Sequence, residues 1–279
     1  MSKPIYTERE YKKAYKSIKK ILLEQKSSRK YPLATLVGGQ PGSGKSQLTR
    51  FIQSQDNNTI VIDGDYIREF HPRLEVIKNE FGINYPKITQ PFVNRAVEQF
   101  IDEFSKEKYN LVIEGTLRDI NVPLKTATEL DERDYVVELY VVATNQNLSW
   151  QSTIDRGNKM KEQGKVPRYV DKEHHDNVVN SLPETVKMLT ENDLFYNVVI
   201  MRRDQAILYE KAASLDLDPK KILKNELNGK PVLTLNERAE NQEPETPKVK
   251  VDDLINEVSK DAPQKHKNKV IQKDKDINR

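Results

Sequence analysis

Residues 33–52 read LATLVGGQPGSGKSQLTRFI, and this stretch decides the fold. Its first five residues form a short apolar run met at once by glycines, the pattern of a strand buried on both faces of a parallel sheet. After Gly38, eight residues satisfy G-x-x-x-x-G-K-[ST]: Gly39, Gln40, Pro41, Gly42, Ser43, Gly44, Lys45 and Ser46. A strand before this motif and a helical pattern after it identify a phosphate-binding loop (P-loop). Glycines let successive N–H groups crowd around a β-phosphate. Lys45 sets a point charge on the β- and γ-phosphates, the helix N-terminus adds its dipole, and the Ser46 hydroxyl is a ligand for Mg2+.

Outward from the loop, four more apolar runs predict strands, at 59–62, 110–113, 136–142 and 197–200. Helical patterns lie between them at 46–54, 90–107, 122–131 and 173–190. Strands alternating with helices imply an α/β fold, a P-loop NTPase-type parallel sheet flanked by helices. Ahead of the sheet, Thr7 to Glu10 form a capping box, and Tyr11, Tyr15, Ile18 and Leu22 recur at helical spacing. The expected organisation is an N-terminal helix packed on the core (1–30), a P-loop domain (31–235) and a charged tail (236–279). No aromatic residue follows Tyr209, so the tail is predicted to be disordered, or weakly helical around 251–258.

The 279 residues carry 46 Lys+Arg against 43 Asp+Glu, a net charge of only +3. That balance argues against a dedicated nucleic-acid-binding face. The absence of cysteine excludes disulfides, thiolate zinc sites and cysteine nucleophiles. No run approaches the 18 or so apolar residues of a membrane span, and the polar start lacks the apolar core of a secretory signal. The expectation is a soluble, cytoplasmic protein with no membrane partner.

Other residues must say what the phosphate is for. The second strand ends Asp63-Gly64-Asp65, which points carboxylates into the crevice where ligands bind in open sheets. Two such acids can divide the work, one near Mg2+ and one accepting a hydroxyl proton. Asp-Gly-Asp is equally ordinary turn chemistry. Glu114 ends the third strand, with Thr116 and Arg118 just beyond it. Arg156 and Arg168 would lie about 18 Å apart on one straight helix. Gly157, Gly164 and Pro167 predict instead a bent lid, from which both arginines reach a transferring phosphate, or else a solvated basic loop. His71, His174 and His175 read as surface histidines rather than as a metal site.

In this order, GGQPGSGKS (38–46), VIDGDYIREFHP (61–72), YNLVIEGTLRDINVPLKTAT (109–128) and TIDRGNKM with VPRYVDKEHHDNVV (153–179) resemble the zeta-toxin family of bacterial toxin–antitoxin systems, including its PezT-like members. The resemblance runs from about residue 5 to about 230, and the lid, basic and glycine-containing, is where it departs from the family pattern. It implies a kinase that transfers the γ-phosphate of ATP to the 3′-hydroxyl of the sugar in UDP-N-acetylglucosamine, obstructing cell-wall synthesis. It makes Lys45 the phosphate-binding lysine, Asp65 the catalytic base, and Arg156 and Arg168 the phosphate clamp. It brings Glu98, Glu114, Thr116, Arg118 and Thr128 to the sugar-nucleotide pocket, and it implies a small antitoxin as partner. Two alternatives stay open, a phosphotransferase acting on another small molecule or a nucleic-acid hydroxyl, and a nucleotide-binding protein without turnover.

Overall fold

In the computed structural model, residues 5–214 and 216–241 are described. Most of the charged tail, with the weak helix expected at 251–258, lies outside them. The first strand, β1 (Leu33–Gly38), runs between β3 (Leu111–Glu114) and β4 (Val136–Ala143). Beyond β3 lies β2 (Ile60–Ile62), and beyond β4 lie β5 (Asn197–Arg202) and β6 (Ile207–Glu210). The order is β2-β3-β1-β4-β5-β6, parallel except for β6. The predicted α/β sheet is therefore present, with every expected strand in place.

β6 was not expected. Its turn from β5 contains no glycine; Gln205 takes a positive φ of 71° and the Asp204 carboxylate accepts from the Ala206 N–H. The usual hairpin signal is thus missing from the sequence.

Ten α-helices surround the sheet in the described residues: α1 (Glu8–Leu22), α2 (Lys45–Gln55), α3 (Gly64–Arg68), α4 (Leu74–Phe81), α5 (Tyr85–Lys106), α6 (Asn121–Asp131), α7 (Gln146–Glu162), α8 (Lys172–Thr190), α9 (Pro219–Leu227) and α10 (Leu235–Asn241). α1 starts at the predicted capping box: Thr7 and Glu10 each satisfy the other's backbone N–H. Its tyrosines pack on α5, with the Tyr15 ring 4.2 Å from Phe100 and nearly parallel to it. Arg95 lies 3.7 Å over the Tyr11 ring while pairing with Glu8, so the helix is held by stacking and by charge together. Among the described residues no helix is long and apolar enough to cross a membrane.

The segment 156–168 bends, as expected of the lid, but not at Gly157. α7 continues through Gly157 to Glu162, and the chain reverses only at Gln163 and Gly164, where φ is +69°. Gly157 does not bend the helix; its lack of a side chain serves a packing contact described below.

One face of the sheet buries the large core under α1, α5, α8 and α9. The other packs Val37, Val112, Val142, Val199 and Met201 beneath Leu48 of α2. This second face also carries a polar group: Glu138 stands beside Thr35 and Asn197, and Asn197 donates to Glu210. Glu138 is 2% exposed, and its Oε1 has no hydrogen-bond partner among the described residues. Burial, with the charge of Glu210 added, pushes its carboxyl up to about 7. The folded chain therefore keeps a proton that the unfolded chain releases near pH 4, so stability falls as pH rises from there to about 7 and is flat above. Glu138→Gln keeps the shape without the proton. It should add on the order of 2 kcal/mol at pH 8 and little at pH 4, measured by denaturant unfolding at both; equal gains would contradict this account.

Candidate active site

β1 is the point at which successive connections turn to opposite edges of the sheet, and ligands of open α/β sheets bind beyond the strand ends at such a point. There the structure has a cleft of about 1400 Å³. Its floor is the P-loop. Gly42 has φ +76°, and a Cβ there would stand 2.1 Å from the Ser149 carbonyl oxygen. Gly44, at φ +104°, caps α2 and faces the Arg203 side chain, 3.0 Å from where its Cβ would be. Gly42 therefore requires glycine on conformation and on space, and Gly44 on conformation.

The loop is held from behind. Buried Gln40 donates to the Thr144 carbonyl (2.5 Å) and to Ser149 Oγ (3.3 Å), and Thr144 Oγ1 donates to the Ser43 carbonyl (2.8 Å). Ser149 Oγ also lies 2.9 Å from His175 Nε2, and Trp150 meets the same ring edge-on. His71 and His175 are thus buried, which corrects the expectation of surface histidines. Among the described residues no group of three or more His, Asp or Glu is placed to hold a metal.

Lys45 opens α2 and donates to the Gly39 and Gln40 carbonyls (2.8 and 3.0 Å). The depth of the cleft pushes its ammonium down to about 8, against the pull of Glu114 and Asp65. Around it stand three carboxylates in two electrostatic states. Asp63 caps α3 by accepting from the Asp65 N–H (2.8 Å), and Glu114 accepts from Thr49 Oγ1 (2.6 Å). Burial and mutual repulsion raise both. Burial also works against ionisation of Asp65, but its ion pair with Arg168 outweighs this and holds the carboxyl below the usual range.

Four arginines crowd the rim. Besides Arg168, Arg68 lies 3.9 Å from the same Asp65 oxygen. Its guanidinium is fixed by the Pro86 carbonyl, Thr89 and Gln90, all on α5. Arg156 is lowered by burial and by Arg168, and is drawn by Asp65; both lid arginines line the cleft. The reversal at Gly164 brings them there, not a bend at Gly157. Arg203 clamps the P-loop, donating to the Gly42 and Ser43 carbonyls and to Ser152 Oγ of α7.

Beyond β3, Leu117 takes φ +55°, an uncommon conformation for a branched residue, and lays its side chain where a Cβ on Gly38 would be. This kink sets Thr116 and Arg118 on the cleft wall, with Arg118 donating to His174 Nδ1 (3.4 Å).

The cleft thus brings together Lys45, Ser46, Asp65, Glu114, Thr116, Arg118, Arg156 and Arg168, with Pro41, Gly42 and Gly44 of the loop. Gly39, Gln40 and Ser43 stand behind it. Two expected residues lie outside its lining. Glu98 is exposed on α5, a turn beyond Asn94, which does line the cleft; Thr128 is exposed on α6 and donates to its own helix at Leu124. Asp63 also lines it, whereas Arg68 and Arg203 were not singled out at all, because their partners are carbonyls and side chains brought near only by folding.

The model of the family described as Zeta toxin matches residues 19–214. Toxin PezT of Streptococcus pneumoniae serotype 4 (strain ATCC BAA-334 / TIGR4) is 37% identical over 207 residues, 74% of this chain and 82% of that protein. Toxin zeta of Streptococcus agalactiae is 33% identical over 256 residues, 88% of this chain and 89% of that one. The solved structure of the PezAT chromosomal toxin–antitoxin system of Streptococcus pneumoniae superposes with a TM-score of 0.72 at 31% identity, over 87% of this chain and 95% of that one. P-loop, strand-end acids and paired arginines therefore stand in a chain that belongs to the zeta-toxin family.

Proposed function

We propose that this chain is an ATP-dependent kinase that phosphorylates the 3′-hydroxyl of the aminosugar of UDP-N-acetylglucosamine. The observation that carries the reading is the convergence of Lys45, Asp65, Arg156 and Arg168 on one cleft. A volume of about 1400 Å³ exceeds what a single ligand ordinarily needs, as two nucleotides bound head to head require.

The chemistry follows from the residues. The P-loop N–H groups and Lys45 hold the β- and γ-phosphates of ATP. The sugar hydroxyl attacks the γ-phosphorus, its bond to the β–γ bridging oxygen breaks, and the hydroxyl proton passes to Asp65, which is ionised across the physiological range. ADP leaves with the bridging oxygen. Arg156 and Arg168 neutralise charge spread over the transferring group. Thr116 and Arg118, with Glu114, hold the acceptor.

Mg2+ fits the donor set. Magnesium takes one or two carboxylates plus phosphate oxygens rather than a protein cage. Asp63 and Glu114 are raised carboxylates that line the same cleft as the exposed Ser46, and a cation there would relieve them. Ser46 with one of these acids would hold the ion, whose chemistry is to neutralise charge between the phosphates. Because the matched solved structure is of a toxin–antitoxin system, the reading extends to a small cognate antitoxin for this chain.

Magnesium-dependent ADP release should be stimulated by UDP-N-acetylglucosamine, and mass spectrometry should find the sugar nucleotide heavier by one phosphate. Lys45→Ala and Asp65→Ala should each lower kcat by roughly 10²–10⁴-fold with the fold intact; product at the wild-type rate from either would overturn the assignment. Arg203→Ala should raise the KM for ATP about tenfold while leaving the acceptor KM within about twofold, since charge-assisted bonds to the loop are lost. Parallel changes in both constants would refute a role confined to the P-loop.

A further inference from the structure

α7 carries Arg156, and the chain returning from its end carries Arg168. The return is closed by two bonds onto the last turn of α7, from Gly164 N–H to the Lys161 carbonyl and from Lys165 N–H to the Met160 carbonyl (both 3.0 Å). Four residues further on, the Tyr169 ring lies against the backbone of Gly157. A Cβ on that glycine would stand 2.3 Å from Tyr169 Cε1 and 2.4 Å from Cδ1, so any side chain there displaces the ring. The hydroxyl donates to Asn158 Oδ1 at 2.9 Å, which fixes the ring along the helix as well as against it. Gly157 itself is buried. Just past the tyrosine, Asp171 pairs with Lys87 of α5 (2.8 Å) across the cleft.

The residue before Tyr169 is Arg168, which is ion-paired to Asp65. The residue before Gly157 is Arg156. The tyrosine–glycine contact therefore joins the two stretches of chain at the positions immediately following the two arginines.

We propose that Gly157 and Tyr169 form a socket and plug that set the relative position of Arg156 and Arg168, making Tyr169 a positioning residue for the phosphate clamp. The inference rests on the kinase reading above for its catalytic consequence, though not for the contact itself. An arginine side chain alone has many rotamers, and two of them meet on one transferring group only if their backbones are held in register. The plug supplies that register from the wall of the same cleft.

The test is Gly157→Ala, chosen because alanine is the better helix former, so the helix it occupies is not weakened. The thermal midpoint should hold or rise while kcat falls 10- to 100-fold and both KM values stay within about twofold. Tyr169→Ala should lower kcat to a similar extent. Tyr169→Phe, which keeps the ring in the socket, should retain most of the activity. The double variant Gly157→Ala/Tyr169→Ala should be no slower than either single one, because both remove the same contact. Limited digestion with trypsin gives a readout independent of any acceptor: cleavage after Arg168 should be several-fold faster in Gly157→Ala and in Tyr169→Ala than in the wild type or Tyr169→Phe. Wild-type kcat in Gly157→Ala, or additive losses in the double variant, would overturn the positioning role. Unchanged cleavage would overturn the socket. Should the wild type leave UDP-N-acetylglucosamine unmodified, the kinase reading fails and the digestion alone decides the contact.

Discussion

The rest of the site depends on the phosphate loop being pressed against α7. Gly42 approaches the Ser149 carbonyl so closely that no side chain fits between, and Gln40, Thr144 and Ser149 bond the two elements on their buried side. Because a P-loop binds anions with backbone rather than side chains, its shape has to be imposed from outside. The helix that imposes it is also the one that bears Arg156. The loop and Arg156 are thus referenced to one helix, and α8 joins it through His175. Arg203 repeats the arrangement from the front, tying two loop carbonyls to the same helix at Ser152.

The carboxylates show how one small volume maintains different protonation tendencies. Asp63 and Glu114 are raised by burial and by their neighbours' charge, while Asp65 is lowered because Arg168 pairs with it and Arg68 stands behind. Arg68 is immobilised by three residues of α5, so its charge is a fixed part of the cleft wall. Environment, not residue type, sets these three carboxylates apart.

Much of this was legible in the sequence, for identifiable reasons. Five strands announce themselves as apolar runs, and the acids at the ends of β2 and β3 follow from where open sheets bind ligands. β6 escaped because its turn uses Gln205 rather than glycine. The bend of the lid was legible, but its place was not: Gly157, Gly164 and Pro167 all look like punctuation, and the chain reverses at Gly164, while Gly157 lies within α7 against an aromatic ring. Arg68 and Arg203 gave no signal, since their meaning lies in carbonyls that only the fold supplies. Glu98 and Thr128 rested on resemblance alone, and they sit on helix surfaces outside the cleft lining.

Gly38 and Leu117 interlock, the branched side chain occupying the space that any residue but glycine would claim at the end of β1. Leu117 in turn holds an unfavourable backbone angle that the strand's rigidity enforces. The two positions therefore share one space: a larger residue at Gly38 would displace the Leu117 side chain. Thr116 and Arg118, though they lie on a loop, are consequently carried with the precision of the central strand.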